Sequence, residues 1–157
     1  FHGDARELDE LPIEREIGLV VTSPPYPNAY EYWLYHKYRM YWLGMDPLEA
    51  KESEIGARPF YSRKNGLTAE DFADDMRKCF AGLHDLLVPG RYACFVVGDS
   101  KIRGKIVDNT QLLTRVAEEK GFTQRATLPR EIPSTSKSFN PKNSRAKNEN
   151  VLVFQRN

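Results

Sequence analysis

The chain has 157 residues, enough for one domain with its own core and too few for two ordinary ones. Hydrophobic residues make up 40% and charged residues 29%, the balance of a globular chain. No apolar run approaches the roughly 20 residues that span a bilayer, and nothing near the start resembles a signal peptide. The net charge of +1 excludes capture of nucleic acid by the whole chain's field, so any such contact must come from a local patch. Cys79 and Cys94 lack a CxxC partner or a His at ligand spacing. Both read as small core residues, no metal site is expected, and a reducing cytoplasm is the matching compartment. The first residue is Phe1, which points to a processed, truncated or excised chain.

Gly18 to Thr22 is a short β-branched run ending at a Ser-Pro-Pro turn, the pattern of a buried parallel strand. Ala29 to Leu43 follows with aromatics at helical spacing, stopped by Gly44 and Pro47; such aromatics are expected mostly to pack in the core, with walling of the base pocket as the alternative. Asp46 to Leu67 has no convincing period and reads as a loop insertion. Thr68 caps a helix whose stripe is Phe72, Met76, Cys79, Phe80, Leu83, Leu86 and Leu87, ended by Pro89-Gly90. Arg91 to Gly98 is a second strong strand. Asp108 to Lys120 is a second amphipathic helix, with Gly121 as its stop, and Phe122 to Leu128 and Val151 to Phe154 are the last strand candidates. This order predicts an α/β layered sheet with crossover helices, in which four strands are visible.

The residues best suited to chemistry are Thr22-Ser23-Pro24-Pro25-Tyr26, because open α/β sheets bind ligands at strand C-terminal ends. An exocyclic amino group on cytosine or adenine is a poor nucleophile, since its lone pair is delocalised into the ring. Two acceptors on its two hydrogens favour a tetrahedral nitrogen, most strongly in the transition state. The Ser23 hydroxyl and the Pro24 carbonyl can supply that pair. Pro24 and Pro25 stiffen the turn and add no competing N–H. Tyr26 offers a ring on which an extruded base can stack.

Val20 to Tyr26 resembles the catalytic motif of the DNA amino-methyltransferases, which modify cytosine or adenine on the exocyclic nitrogen. The Ser form of that motif is commoner in cytosine enzymes and the Asp form in adenine enzymes. Gly3-Asp4-Ala5-Arg6 is similar to the family's Gly-Asp segment. Val88 to Arg91 into Phe95 to Asp99 looks like its next strand, and Asn148 to Phe154 like its closing hairpin. The resemblance implies a Rossmann-like S-adenosylmethionine-dependent methyltransferase fold, represented here by its catalytic half. It implies S-adenosylmethionine as cofactor, with Asp4 and Thr22 as cofactor contacts, and DNA as partner, with no membrane involved. Cytosine in DNA is the first expected target, adenine in DNA the second and RNA the third. The family's Gly-rich turn of the Phe-x-Gly-x-Gly kind has no counterpart in this sequence. A second segment or chain carrying that turn is therefore expected, the present chain being a fragment, a split subunit or a permuted form.

Asn28 and Tyr30, just behind the motif, are expected base contacts. Lys137, Lys142, Arg145 and Lys147 form a basic segment suited to DNA phosphates, with Arg58, Arg63 and Lys64 as a second patch. Asp99, at a strand end, is a candidate for lining the substrate cleft. The rival reading is a non-catalytic methyltransferase-like subunit that only binds nucleic acid.

Overall fold

The computed structural model describes residues 3–13, 16–131 and 148–157. In chain order these form a 3₁₀ turn (Leu8–Glu10), β1 (Ile17–Thr22), α1 (Tyr32–Trp42), α2 (Pro47–Ser53), α3 (Arg58–Ser62) and α4 (Ala69–Leu86). Then come β2 (Leu87–Gly98), β3 (Ser100–Ile102), β4 (Lys105–Val107), α5 (Asn109–Glu119), β5 (Phe122–Glu131) and β6 (Asn148–Arg156). Among the described residues no helix is long and apolar enough to cross a membrane.

Four strands make one sheet in the order β1-β2-β6-β5. β1 and β2 are parallel, with the helices between them as the crossover, and β6 lies antiparallel between β2 and β5. Thr22 stands opposite Phe95, so the C-terminal ends of β1 and β2 lie side by side under the Ser-Pro-Pro turn.

Strand alternation divides the sheet into two unlike faces. Ala93, Phe95, Val97, Leu152 and Phe154 are fully buried beneath α4 and α5. Phe80 of α4 is the centre of this core, stacked on Phe95 at 4.8 Å between ring centroids and edge-on to Phe122 and Phe154. The helix is well specified locally. Thr68 and Asp71 form a reciprocal capping box, with Asp71 Oδ2 accepting from Thr68 N at 2.7 Å. On the opposite face Leu19, Val21, Tyr92 and Leu128 are 58%, 68%, 41% and 54% exposed. That face has the apolar character of a covered one.

Four expectations are corrected. Asp46 to Leu67 is not a loop: it folds into α2 and α3, each with Pro in its first turn, and buries Tyr61 completely. Helices of seven and five residues are too short to show a 3.6-residue period. The aromatics of α1 do not enter the core. None of its residues is buried, and Tyr35, Tyr38 and Tyr41 are 64%, 69% and 63% exposed, because α1 packs on α2 and stands off the sheet.

Pro89-Gly90 does not separate helix from strand. α4 ends at Leu86 and β2 begins at once, with Gly90 (φ 77°) inside a register jump between Ile17 opposite Leu87 and Leu19 opposite Tyr92. Finally, β3 and β4 form a separate hairpin that the reading in sequence order did not include. Arg103 (φ 47°) and Gly104 (φ 84°) make its tight turn.

Candidate active site

The Ser-Pro-Pro-Tyr segment leaves β1 and crosses the end of β2. Ser23 Oγ donates to the Val96 carbonyl at 3.1 Å. A hydroxyl has one proton; with it engaged by Val96, the Ser23 oxygen presents only lone pairs elsewhere. Tyr26 leans on the core, and its hydroxyl donates to Glu149 Oε1 at 3.1 Å, with Val96 O at 3.4 Å. Burial pushes the Tyr26 phenol up to about 12; the neighbouring Ser23 hydroxyl acts to lower it and the Glu149 carboxylate to raise it.

The exit from the motif is held by backbone geometry. Asn28 has φ 61°, its N–H donates to Gly56 O at 3.0 Å, and its Nδ2 donates to Lys101 O in β3 at 2.6 Å. Gly56 (φ 77°) packs its α-carbon against Pro27, and a Cβ there would stand 3.3 Å from the Pro27 Cα. The left-handed turn at Asn28 also explains why α1 starts at Tyr32 and not at Ala29.

Ser23 opens onto a cavity of about 710 Å³, within the usual range of a small-molecule site. Gly3, Asp4 and Ala5 line it from the N-terminal segment, Ser23 and Pro25 from the motif, Tyr32 from α1, and Ser53, Glu54 and Ile55 from the end of α2. The motif and the Gly-Asp segment therefore share one cavity.

Two side chains outside the sequence-based candidates organise its walls. Arg6 grips Asp4 through Nη2 at 2.5 Å and Nε at 2.9 Å, then reaches Asp75 Oδ1 at 3.2 Å and Ser53 O at 2.8 Å. Its hydrogen bonds hold the Asp4 carboxyl below the ordinary value. Glu54 accepts from Tyr32 N at 2.9 Å and Trp33 N at 2.7 Å, placing a carboxylate at the α1 N-terminus, where the helix dipole favours it. Arg6 belongs to the Gly-Asp-Ala-Arg segment and could have been read from it. Glu54 lies 22 residues from Tyr32 in sequence, and no local pattern marks it.

Other candidates lie elsewhere. Thr22 ends β1, Pro24 is buried, and neither they nor Tyr26 are among the residues lining the cavity. Tyr30 is 45% exposed and clusters with Tyr32 and Tyr35, at ring-centroid distances of 5.7 and 6.3 Å. Asn28 gives its Nδ2 to Lys101 O, while its buried Oδ1 has no hydrogen-bond partner among the described residues; Asp99 is exposed and does not line the cavity. Arg58, Arg63 and Lys64 are all exposed. Lys137, Lys142, Arg145 and Lys147 lie outside the described residues.

This arrangement, a parallel strand pair with a Ser-Pro-Pro-Tyr turn over a cavity, sits on a fold shared with solved methyltransferase structures. No protein-family model matches the chain. The Type II methyltransferase M.MjaI of Methanocaldococcus jannaschii is 31% identical, over 81% of this chain and 41% of that protein. TTHA0409 of Thermus thermophilus, described as a putative DNA modification methylase, superposes with a TM-score of 0.58 at 23% identity, over 98% of this chain and 52% of its own. The cytosine-N4-specific PvuII DNA methyltransferase gives a TM-score of 0.55 at 20% identity, over 98% of this chain and 47% of its own. The fold is the Rossmann-like fold of S-adenosylmethionine-dependent methyltransferases. In sequence the chain is similar to a Type II methyltransferase, and in fold to DNA methyltransferases. It spans about half the length of these solved structures.

Proposed function

We propose that this chain is the catalytic portion of an enzyme that transfers a methyl group from S-adenosylmethionine to the exocyclic amino group of cytosine in DNA. The observation that carries this reading is the state of Ser23. Its proton is engaged by Val96 O, its oxygen faces the cavity as an acceptor, and Asp4 lines the same cavity. The PvuII relative, which is cytosine-N4-specific, favours cytosine over adenine. TTHA0409 has been solved in complex with S-adenosyl-L-methionine.

The lining suits such a cofactor. Glu54 carries negative charge for a cationic ligand, Asp4 is fixed in the wall by Arg6, and Tyr32, Pro25 and Ile55 offer apolar surface for a nucleoside. When bound, the cofactor supplies an activated methyl on sulfur. The chain's own part is orientation and charge complementarity. Ser23 Oγ and the Pro24 carbonyl accept from the two amino hydrogens and localise the nitrogen lone pair. Tyr26 bears against the extruded base and offsets part of its unstacking. The exposed Arg58, Arg63 and Lys64 and the basic segment 137–147 neutralise DNA phosphates.

We further infer that a segment or chain bearing the Gly-rich cofactor turn docks on β1. The apolar, exposed Leu19 and Val21 and the place of β1 at the edge of the described sheet support this. The test is a calorimetric titration of S-adenosylmethionine into the 157-residue chain, and into the full protein that carries it, followed by methyl transfer to DNA by the latter. Binding and amino-group methylation by the full protein are expected. A full protein that binds DNA and no S-adenosylmethionine would instead make the chain a nucleic-acid-binding subunit.

A further inference from the structure

Outside the residues named so far for chemistry, Glu149 makes the most consequential contact in the site. It stands on β6 directly opposite Arg130 of β5, and its side chain is 16% exposed. One carboxylate oxygen receives Arg130 Nη1 at 3.0 Å, and the other receives the Tyr26 hydroxyl at 3.1 Å. The carboxylate is thus fixed from one side by a cross-strand cation and spends its second oxygen on the motif tyrosine.

We propose that Glu149 is the positioning residue of the transfer site, clamping Tyr26 and keeping the Ser23 hydroxyl turned to Val96. The inference rests on the reading of Ser23 and Tyr26 given above. A phenol has a single proton. Between Glu149 at 3.1 Å and Val96 O at 3.4 Å, the charged and nearer acceptor takes it. Val96 O is then left to the Ser23 proton at 3.1 Å, and Ser23 Oγ keeps its lone pairs for the amino group. Without Glu149, the tyrosine proton turns to Val96 O and two hydroxyls converge on one carbonyl. The Tyr26 ring also loses the anchor at its para end, and with it the fixed tilt against which a base is seated.

The experiment is steady-state methyl transfer by the full protein carrying Glu149→Ala, Glu149→Gln, Tyr26→Phe, Ser23→Ala, or Glu149→Ala with Tyr26→Phe. Glu149→Ala is expected to lower kcat about tenfold to a hundredfold, the cost of a misplaced reacting geometry, with KM for S-adenosylmethionine unchanged. Glu149→Gln keeps a carbonyl acceptor for the phenol and is expected to recover most of the rate. In the Tyr26→Phe background, Glu149→Ala is expected to add nothing, because the two changes remove the same contact. Wild-type kcat in Glu149→Ala, or losses that multiply in the double variant, would overturn the clamp. If Ser23→Ala abolishes transfer while Glu149→Ala does not, the clamp alone falls. If Ser23→Ala also turns over normally, the reading of the whole site falls with it.

Discussion

Gly82 of α4 lies against Leu8 of the 3₁₀ turn so closely that a Cβ built on it would stand 2.7 Å from the Leu8 Cβ. That contact seats the segment leading back to Asp4 on the long helix, and so sets one wall of the cavity. Gly82→Ala is expected to push the turn outward and destabilise the fold by about 1–3 kcal/mol, as overpacking does. Chemical denaturation measures it, and adding Leu8→Gly, which removes the opposing Cβ, to Gly82→Ala should return part of the loss. A Gly82→Ala variant as stable as the parent would mean that the turn yields freely.

Ser23→Ala removes one acceptor from the proposed transfer site and touches little else, since the hydrogen bond its side chain makes is the one to the Val96 carbonyl. Loss of one electrostatic contact of this kind costs about a hundredfold to a thousandfold in kcat. Melting temperature and affinity for S-adenosylmethionine should stay at the parent's values. Single-turnover methylation of a DNA substrate, read beside calorimetry, separates the two effects.

Asp4 gives the fold an acid-sensitive joint. Its carboxyl is held below the ordinary 3.8, chiefly by hydrogen bonds from Arg6. A carboxyl that is harder to protonate when folded than when unfolded adds stability that is fully present above the unfolded value and lost as pH falls through the folded one. The melting temperature is therefore expected to fall below about pH 4. Asp4→Asn, which cannot titrate, should flatten that part of the curve while lowering stability at neutral pH.

Tyr26 behaves in the opposite sense. Its folded value is raised from 10.0 to about 12, so its contribution is complete below the unfolded value and lost as pH rises through the folded one. Tyr26→Phe is expected to soften the alkaline loss of stability between those limits, measured by thermal denaturation across the alkaline range.

Asn28 combines a left-handed backbone with a side-chain bond to β3. Asn28→Gly keeps the backbone freedom and loses the bond, at about 0.5–1.5 kcal/mol. Asn28→Ala loses the bond and adds roughly 1–2 kcal/mol of left-handed strain. The order of stability should be Asn, then Gly, then Ala. An Ala variant at least as stable as Gly would remove the backbone argument.

What the sequence by itself determined was local. The capping box at Thr68 and Asp71, the apolar stripe from Phe72 to Phe80 and the β-branched runs feeding β1 and β2 each carry their signal within a few residues, where caps and periodicity act. The Ser-Pro-Pro-Tyr turn is legible for the same reason. Tertiary structure alone decided which surfaces were available. The spacing of aromatics in α1 is that of a core helix, yet α1 rests on α2 and leaves Tyr35 and Tyr38 exposed. Pro89-Gly90 has the sequence of a break and becomes a register jump inside β2, because β1 runs beside it. The contacts that define the site, Glu54 to the start of α1 and Glu149 to Tyr26, join residues 22 and 123 positions apart. A carboxylate's hydrogen bonds are set by distance in space, and only the sheet order β1-β2-β6-β5 brings Glu149 to the end of β2, where Val96, Ser23 and Tyr26 meet.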